Sequence, residues 1–93
     1  MKIVVKLFAT LRLNLKIGMV EIHSNSPISV LQLLQQVSKN VNSDILTELT
    51  NDNKILVGAI ILIDGINVLH QNKLETIIDK DCVVSVFPPN GGG

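Results

Sequence analysis

Few residues in this 93-residue chain are equipped for chemistry. They are one thiol, Cys82, two imidazoles, His23 and His70, the carboxylates Glu75, Asp79 and Asp81, and the final run Asn90-Gly91-Gly92-Gly93. A single cysteine excludes an internal disulfide and any multi-thiolate metal site. The histidines stand 47 positions apart with no thiol beside either. They read as surface or half-buried side chains, and no metal is expected. Cys82 could act as a nucleophile, but no histidine neighbours it in sequence, and a free cysteine commonly serves as a small buried hydrophobe. The three carboxylates read as a solvated turn. Phosphate-binding loops, Gly-x-Gly-x-x-Gly, His-Glu-x-x-His and Cys-x-x-Cys motifs are all absent.

The glycine run poses a different question. A frayed end or a cloning remnant would account for it. So would a carboxylate threaded into another protein. Glycine has no Cβ, so Gly92 and Gly93 fit a channel too narrow for other residues. Pro88-Pro89 would stiffen the exit and send the tail away in an extended direction. On this reading residues 1–89 form one domain and 90–93 a flexible tail.

The elements that must hold this tail follow from composition and period. The length allows one small domain, since domains run to roughly 100–150 residues. Apolar residues make up 46%, yet Phe8 and Phe87 are the only aromatics, so the core is aliphatic. Eight basic residues balance eight acidic ones, which removes the net field that nucleic acid would need. No Trp or Tyr is present to stack on bases. The longest apolar stretch, 55–63, is far short of the ~20 residues of a membrane span. Lys6, Arg12 and Lys16 interrupt any signal-like start. A cytoplasmic protein without a membrane or nucleic-acid partner is expected.

Ile3, Val5 and Leu7 alternate with Lys2, Val4 and Lys6 as in a half-buried strand. Leu11 to Ile17 reads as a wide hairpin loop leading to a second strand, Gly18 to Ser24, with Val20 and Ile22 inward. Ser29 followed by Gln32 has the form of a capping box. Val30, Leu33, Leu34, Val37 and Val41 then make one helical face, predicting a helix from Val30 to about Asn40. A shorter helical stretch carries Ile45, Leu46 and Leu49, and Asn51-Asp52-Asn53 ends it. Ala59 to Ile63 is a strand without alternation. Asp64-Gly65 turns it back through Ile66 to Val68. Leu74, Ile77 and Ile78 read as irregular or one helical turn. Val83 to Phe87 is the last strand, stopped by Pro88-Pro89. The expected fold is α+β, with a mixed sheet of four to five strands and one main helix across one face. If the last strand lies parallel beside the first, that arrangement is the ubiquitin-like β-grasp. The buried set would be Ile3, Val5, Leu7, Val20, Ile22, Val30, Leu33, Leu34, Val37, Ile61, Ile63, Val84 and Val86.

With these marks the chain resembles the MoaD/ThiS family of ubiquitin-like sulfur carriers over nearly its whole length. Leu7-Phe8-Ala9-Thr10-Leu11-Arg12 matches the family's Phe-Ala-x-x-Arg pattern. Ile63-Asp64-Gly65-Ile66-Asn67-Val68 is close to its Val-Asn-Gly strand turn. Phe87-Pro88-Pro89, two residues and then Gly92-Gly93 is the most specific mark, and its spacing agrees with the molybdopterin branch. The family's Gly-Asp-Glu before the last strand is replaced by Asp81-Cys82-Val83, and the stretch from Asn40 to Gly58 is longer than in minimal members.

The resemblance implies a cosubstrate more than an enzyme. A ubiquitin-activating-type adenylyltransferase would use ATP to adenylate the Gly93 carboxylate. A persulfide donor such as a cysteine desulfurase or rhodanese would turn it into a thiocarboxylate. The large catalytic subunit of molybdopterin synthase would accept the sulfur for the dithiolene of molybdenum or tungsten cofactor. No cofactor would be bound by the chain itself. Phe8, Arg12, Phe87, Pro88 and Pro89 are the candidate docking residues, and Gly92 and Gly93 enter the partner. Two other readings stay open. One is a protein modifier or a carrier for another pathway such as thiazole synthesis. The other is a β-grasp interaction module whose glycines are incidental.

Overall fold

The computed structural model describes residues 1–89; the tail assigned to 90–93 lies outside the described residues. Two strands open the chain, β1 (Lys2–Leu7) and β2 (Met19–His23), with helix α1 (Ala9–Leu15) between them. Strand β3 (Ile28–Ser29) leads into helix α2 (Val30–Asn40). A short helix α3 (Leu46–Leu49) and a small hairpin, β4 (Thr50–Asn51) with β5 (Lys54–Ile55), follow. Strands β6 (Ile60–Ile63) and β7 (Ile66–Asn67), two 3-10 turns, strand β8 (Ile77–Ile78) and strand β9 (Cys82–Phe87) complete the order.

The main sheet runs β2-β1-β9-β6-β7. β1 and β9 are parallel, with Val5 opposite Val84 and Leu7 opposite Val86. Every other pair in this sheet is antiparallel. No tight turn can join a parallel pair, so the rest of the chain forms the crossover. This is the β-grasp arrangement.

Period explains the packing. Ile3, Val5 and Leu7 of β1, Val20 and Ile22 of β2, Ile61 of β6, and Val84 and Val86 of β9 are buried on one sheet face. They meet the apolar stripe of α2, where Val30, Leu33, Leu34 and Val37 are completely buried. The capping box forms: the Gln32 N–H donates to Ser29 Oγ at 3.0 Å, and the Ser29 N–H donates to Gln32 Oε1 at 2.9 Å. Two orphan amides at the helix start are thereby satisfied. Ile63 departs from expectation. It ends its strand at the turn into β7 and is only half-buried.

The stretch from Leu11 to Ile17 is not a hairpin loop but largely the helix α1. Its alternating leucines imitate a strand, yet Leu, Arg and Ala favour helix, and Leu11 and Leu15 stand one helical turn apart. Leu11 is fully buried while Leu13 is 73% exposed. Ala9 enters with φ +53°, and Lys16 closes the helix with φ +58°, its N–H donating to the Arg12 carbonyl at 2.9 Å. Two pairings were also not expected. Ile28–Ser29 pairs with Ile77–Ile78, where the sequence predicts an irregular stretch or one helical turn. Asn51 to Asn53 does more than end a helix, because Asp52 and Asn53 both take positive φ to turn a hairpin. No helix among the described residues is long and apolar enough to cross a membrane.

Truncating Leu33 to Ala should destabilise the fold by about 2–5 kcal/mol, because the surrounding aliphatic wall closes only partly over the cavity. Urea unfolding measures this, and a midpoint unchanged from the parent would contradict the packing described.

Candidate functional site

The parallel register that pairs Leu7 with Val86 brings the residues just beyond them to one end of the sheet. The Phe8 N–H donates to the Val86 carbonyl at 3.1 Å. The Phe8 and Phe87 rings then stack with centroids 4.4 Å apart and planes 8° from parallel. Both rings are half-buried, so they close this end of the domain while keeping a face outside. Ile60, directly opposite Phe87, extends the apolar surface and is 40% exposed.

Arg12 lies nearby on α1. Its side chain crosses over Gly18, where an added Cβ would stand 3.3 Å from the Arg12 Nε. Lys6, Phe8, Arg12, Gly18 and Met19 share the lining of a shallow depression of about 440 Å³. No carboxylate pairs with Lys6 or Arg12 among the described residues. The depression therefore combines two cations with an aromatic and a thioether, which suits an acidic partner surface with apolar anchors.

Beyond Phe87, Pro88 is buried and Pro89 half-buried. Pro89 rests against Gly58, whose φ of +92° places its backbone in the region that favours glycine. Among the candidate docking residues, Phe8, Phe87 and Arg12 thus gather at one end, with Pro88 and Pro89 continuing from it. The Gly92 and Gly93 assignments lie outside the described residues. Sequence reasoning missed Gly58 and Gly18, although a lone glycine beside apolar residues is a signal for close backbone approach.

The other chemistry-bearing residues serve the framework. Cys82 is buried at the start of β9, at the opposite end of that strand from Phe87. Burial, and then the nearby Asp64 and Asp81 carboxylates, push its thiol above the ordinary range. Asp81 Oδ1 accepts the Lys2 N–H at 2.9 Å, and Asp64 Oδ1 accepts the Val83 N–H at 2.9 Å. These carboxylates tie the start of β9 to its neighbours. His23 and His70 join no metal-ligating group among the described residues.

Iodoacetamide at neutral pH should label Cys82 at least ~10-fold more slowly than a free cysteine, since the thiolate is the nucleophile and burial disfavours it. Above the ordinary thiol range the unfolded chain ionises first. Folding stability therefore falls as pH rises through that range, and Cys82→Ala should flatten the fall. Urea midpoints at neutral and alkaline pH test this, and equal slopes in parent and variant would contradict it.

The geometry agrees with known structures. SAMP1 from Haloferax volcanii superimposes with a TM-score of 0.79 at 18% identity, covering 100% of each chain. The Amycolatopsis orientalis BexX/CysO complex contains a chain with a TM-score of 0.81 at 18% identity, covering 98% of this chain and 99% of that one. A putative molybdopterin converting factor subunit 1 from Pyrococcus furiosus gives 0.71 at 24% identity, covering 95% and 97%. These similarities establish the fold. No curated protein sequence matches the chain. The profile of the ThiS family matches residues 5–93, the glycine run included. With that match spanning almost the entire chain, the protein belongs to the ThiS family.

Proposed function

We propose that this protein is a sulfur carrier whose Gly93 carboxylate is adenylated and converted to a thiocarboxylate, and that it supplies sulfur for the dithiolene of molybdopterin. The observation that carries the reading is the ThiS-family match running through Gly93, with Phe87-Pro88-Pro89 set at the end of a central strand beside Phe8. The spacing of Phe-Pro-Pro to Gly92-Gly93 supports the molybdopterin branch.

The chemistry explains why the carrier needs partners. A carboxylate is a poor electrophile. Attack of a Gly93 carboxylate oxygen on the α-phosphorus of ATP expels pyrophosphate and leaves an acyl-adenylate. Attack by the terminal sulfur of a persulfide forms the C–S bond and expels AMP. A thiol then cleaves the S–S bond, leaving the thiocarboxylate on Gly93 and a disulfide on the donor side. In this scheme the activating adenylyltransferase and the large synthase subunit would supply the catalysis. This chain contributes a docking surface and a tail.

A second reading, as a protein modifier, draws support from the likeness to a structure named as a small archaeal modifier protein. It shares the activation step and differs in the acceptor.

Intact-mass spectrometry after incubation with ATP, a persulfide donor and the adenylyltransferase of the same source tests the reading. The expected change is one oxygen replaced by sulfur, lost when Gly93 is deleted. Thiolation that survives the deletion would move the acceptor elsewhere. A dithiolene product favours the carrier, and an isopeptide bond to lysine favours the modifier. Phe8→Ala should weaken partner binding by about tenfold, the scale of a modest interface anchor. Calorimetric titration on a variant with a native-like spectrum measures it, and unchanged affinity removes Phe8 from the surface.

A further inference from the structure

Val57 is the most exposed of the large apolar residues, at 97%. It sits in the turn Leu56-Val57-Gly58-Ala59, closed by the Ala59 N–H donating to the Leu56 carbonyl at 3.0 Å. Gly58 has φ +92° at the third position, where a type II turn demands a positive value. The turn lies beside the exit of the domain, because a Cβ built on Gly58 would stand 3.6 Å from the Pro89 Cβ. Val57 is therefore held beside the root of the tail and gains almost no burial from its own chain.

On the carrier reading, with Gly93 as the reacting end, tail length decides what else must come there. Four residues follow Pro89 in the sequence. Four residues span at most about 14 Å when fully extended. An enzyme that reacts with the Gly93 carboxylate inside a channel must bring the mouth of that channel close to Pro89. A turn touching Pro89 then falls within the enzyme's footprint. Resting on the carrier reading above, we propose that Val57 is a contact and specificity residue for the activating adenylyltransferase, inserting into an apolar socket at the rim of the tail channel. Docking thus extends from the Phe8–Phe87 end of the sheet onto the Leu56–Ala59 turn. The exposure of Val57 makes the test clean, since a polar substitution there removes almost no packing.

The experiment is ATP–pyrophosphate exchange by the adenylyltransferase of the same source, with this chain as varied substrate. Val57→Asp should raise KM by about tenfold or more, the cost of a charge facing an apolar socket, and leave kcat within about twofold. Val57→Ile should behave as the parent. Ile77→Asp should also leave KM unchanged. Ile77 is 58% exposed but lines a cavity with Cys82, at the far end of β9 from Pro89. Thermal unfolding should be the same in all four proteins. A parental KM in Val57→Asp, a loss confined to kcat, or an equal rise in Ile77→Asp overturns the proposal while leaving the carrier reading intact. Absence of exchange with the parent chain overturns both.

Discussion

The parallel pairing of β1 with β9 is the constraint on which the rest of the molecule depends. It joins the two ends of the chain at the sheet centre, with Ile3 opposite Cys82 and Leu7 opposite Val86. A parallel central pair must be covered, and α2 covers it with a stripe that leaves Val30, Leu33, Leu34 and Val37 without solvent contact. The same register forces the residue after β1 and the last residue of β9 to meet. The Phe8–Phe87 stack is therefore a consequence of strand order, made where the chain emerges from the core. A one-residue slip of β9 would turn Val84 and Val86 outward and separate the rings. Core and exit are specified by one set of hydrogen bonds.

That arrangement divides labour between the two ends of β9. At the Cys82 end, polar groups serve closure: Asp81 and Asp64 accept backbone amides, and the thiol stays buried. At the Phe87 end, polar groups are left for others. Lys6 and Arg12 have no carboxylate partner among the described residues, and Ile60 keeps much of its surface exposed. Exposed cations contribute little to folding. Cations placed this way steer association with acidic surfaces, which the proposed docking would use.

Much of this could be read from the sequence because several signals agreed at once. The Ser29–Gln32 box, the stripe from Val30 to Val41 and the turn pair Asp64-Gly65 each name one local structure, and tertiary packing does not contradict them. The first and last strands were legible by period and by the proline stop. Leu11 to Ile17 was not, because alternating leucines carry a strand period while their neighbours favour helix, and burial of Leu11 decided the outcome. The β3–β8 pair was hidden because two-residue strands are too short to show a period, and it is held from outside them. There the Val30 N–H donates to the carbonyl of buried Thr76 at 2.9 Å. Of the candidate site, the aromatic pair and the Pro-Pro exit were visible as motif residues. The supporting contacts of Gly18 with Arg12 and Gly58 with Pro89 join positions far apart in sequence or separated by a helix end, and only the fold brings them together.

Under the carrier function proposed above, reaction through Gly93 would set a selectivity problem within the sequence itself. Cys82 carries the other group able to take up sulfur, because an accessible thiolate would attack the outer sulfur of a persulfide donor before the Gly93 acyl-adenylate could receive it. The fold removes that competition in two ways. Cys82 is kept on the core face of β9, where burial disfavours the thiolate and two nearby carboxylates disfavour it further. It is also placed at the start of the strand whose end leads to the tail, about 16–17 Å away at the ordinary rise per strand residue. An enzyme gripping the exit at Pro89 is thus aimed away from the thiol. The parallel strand that builds the proposed docking end is the same strand that keeps the thiol out of reach.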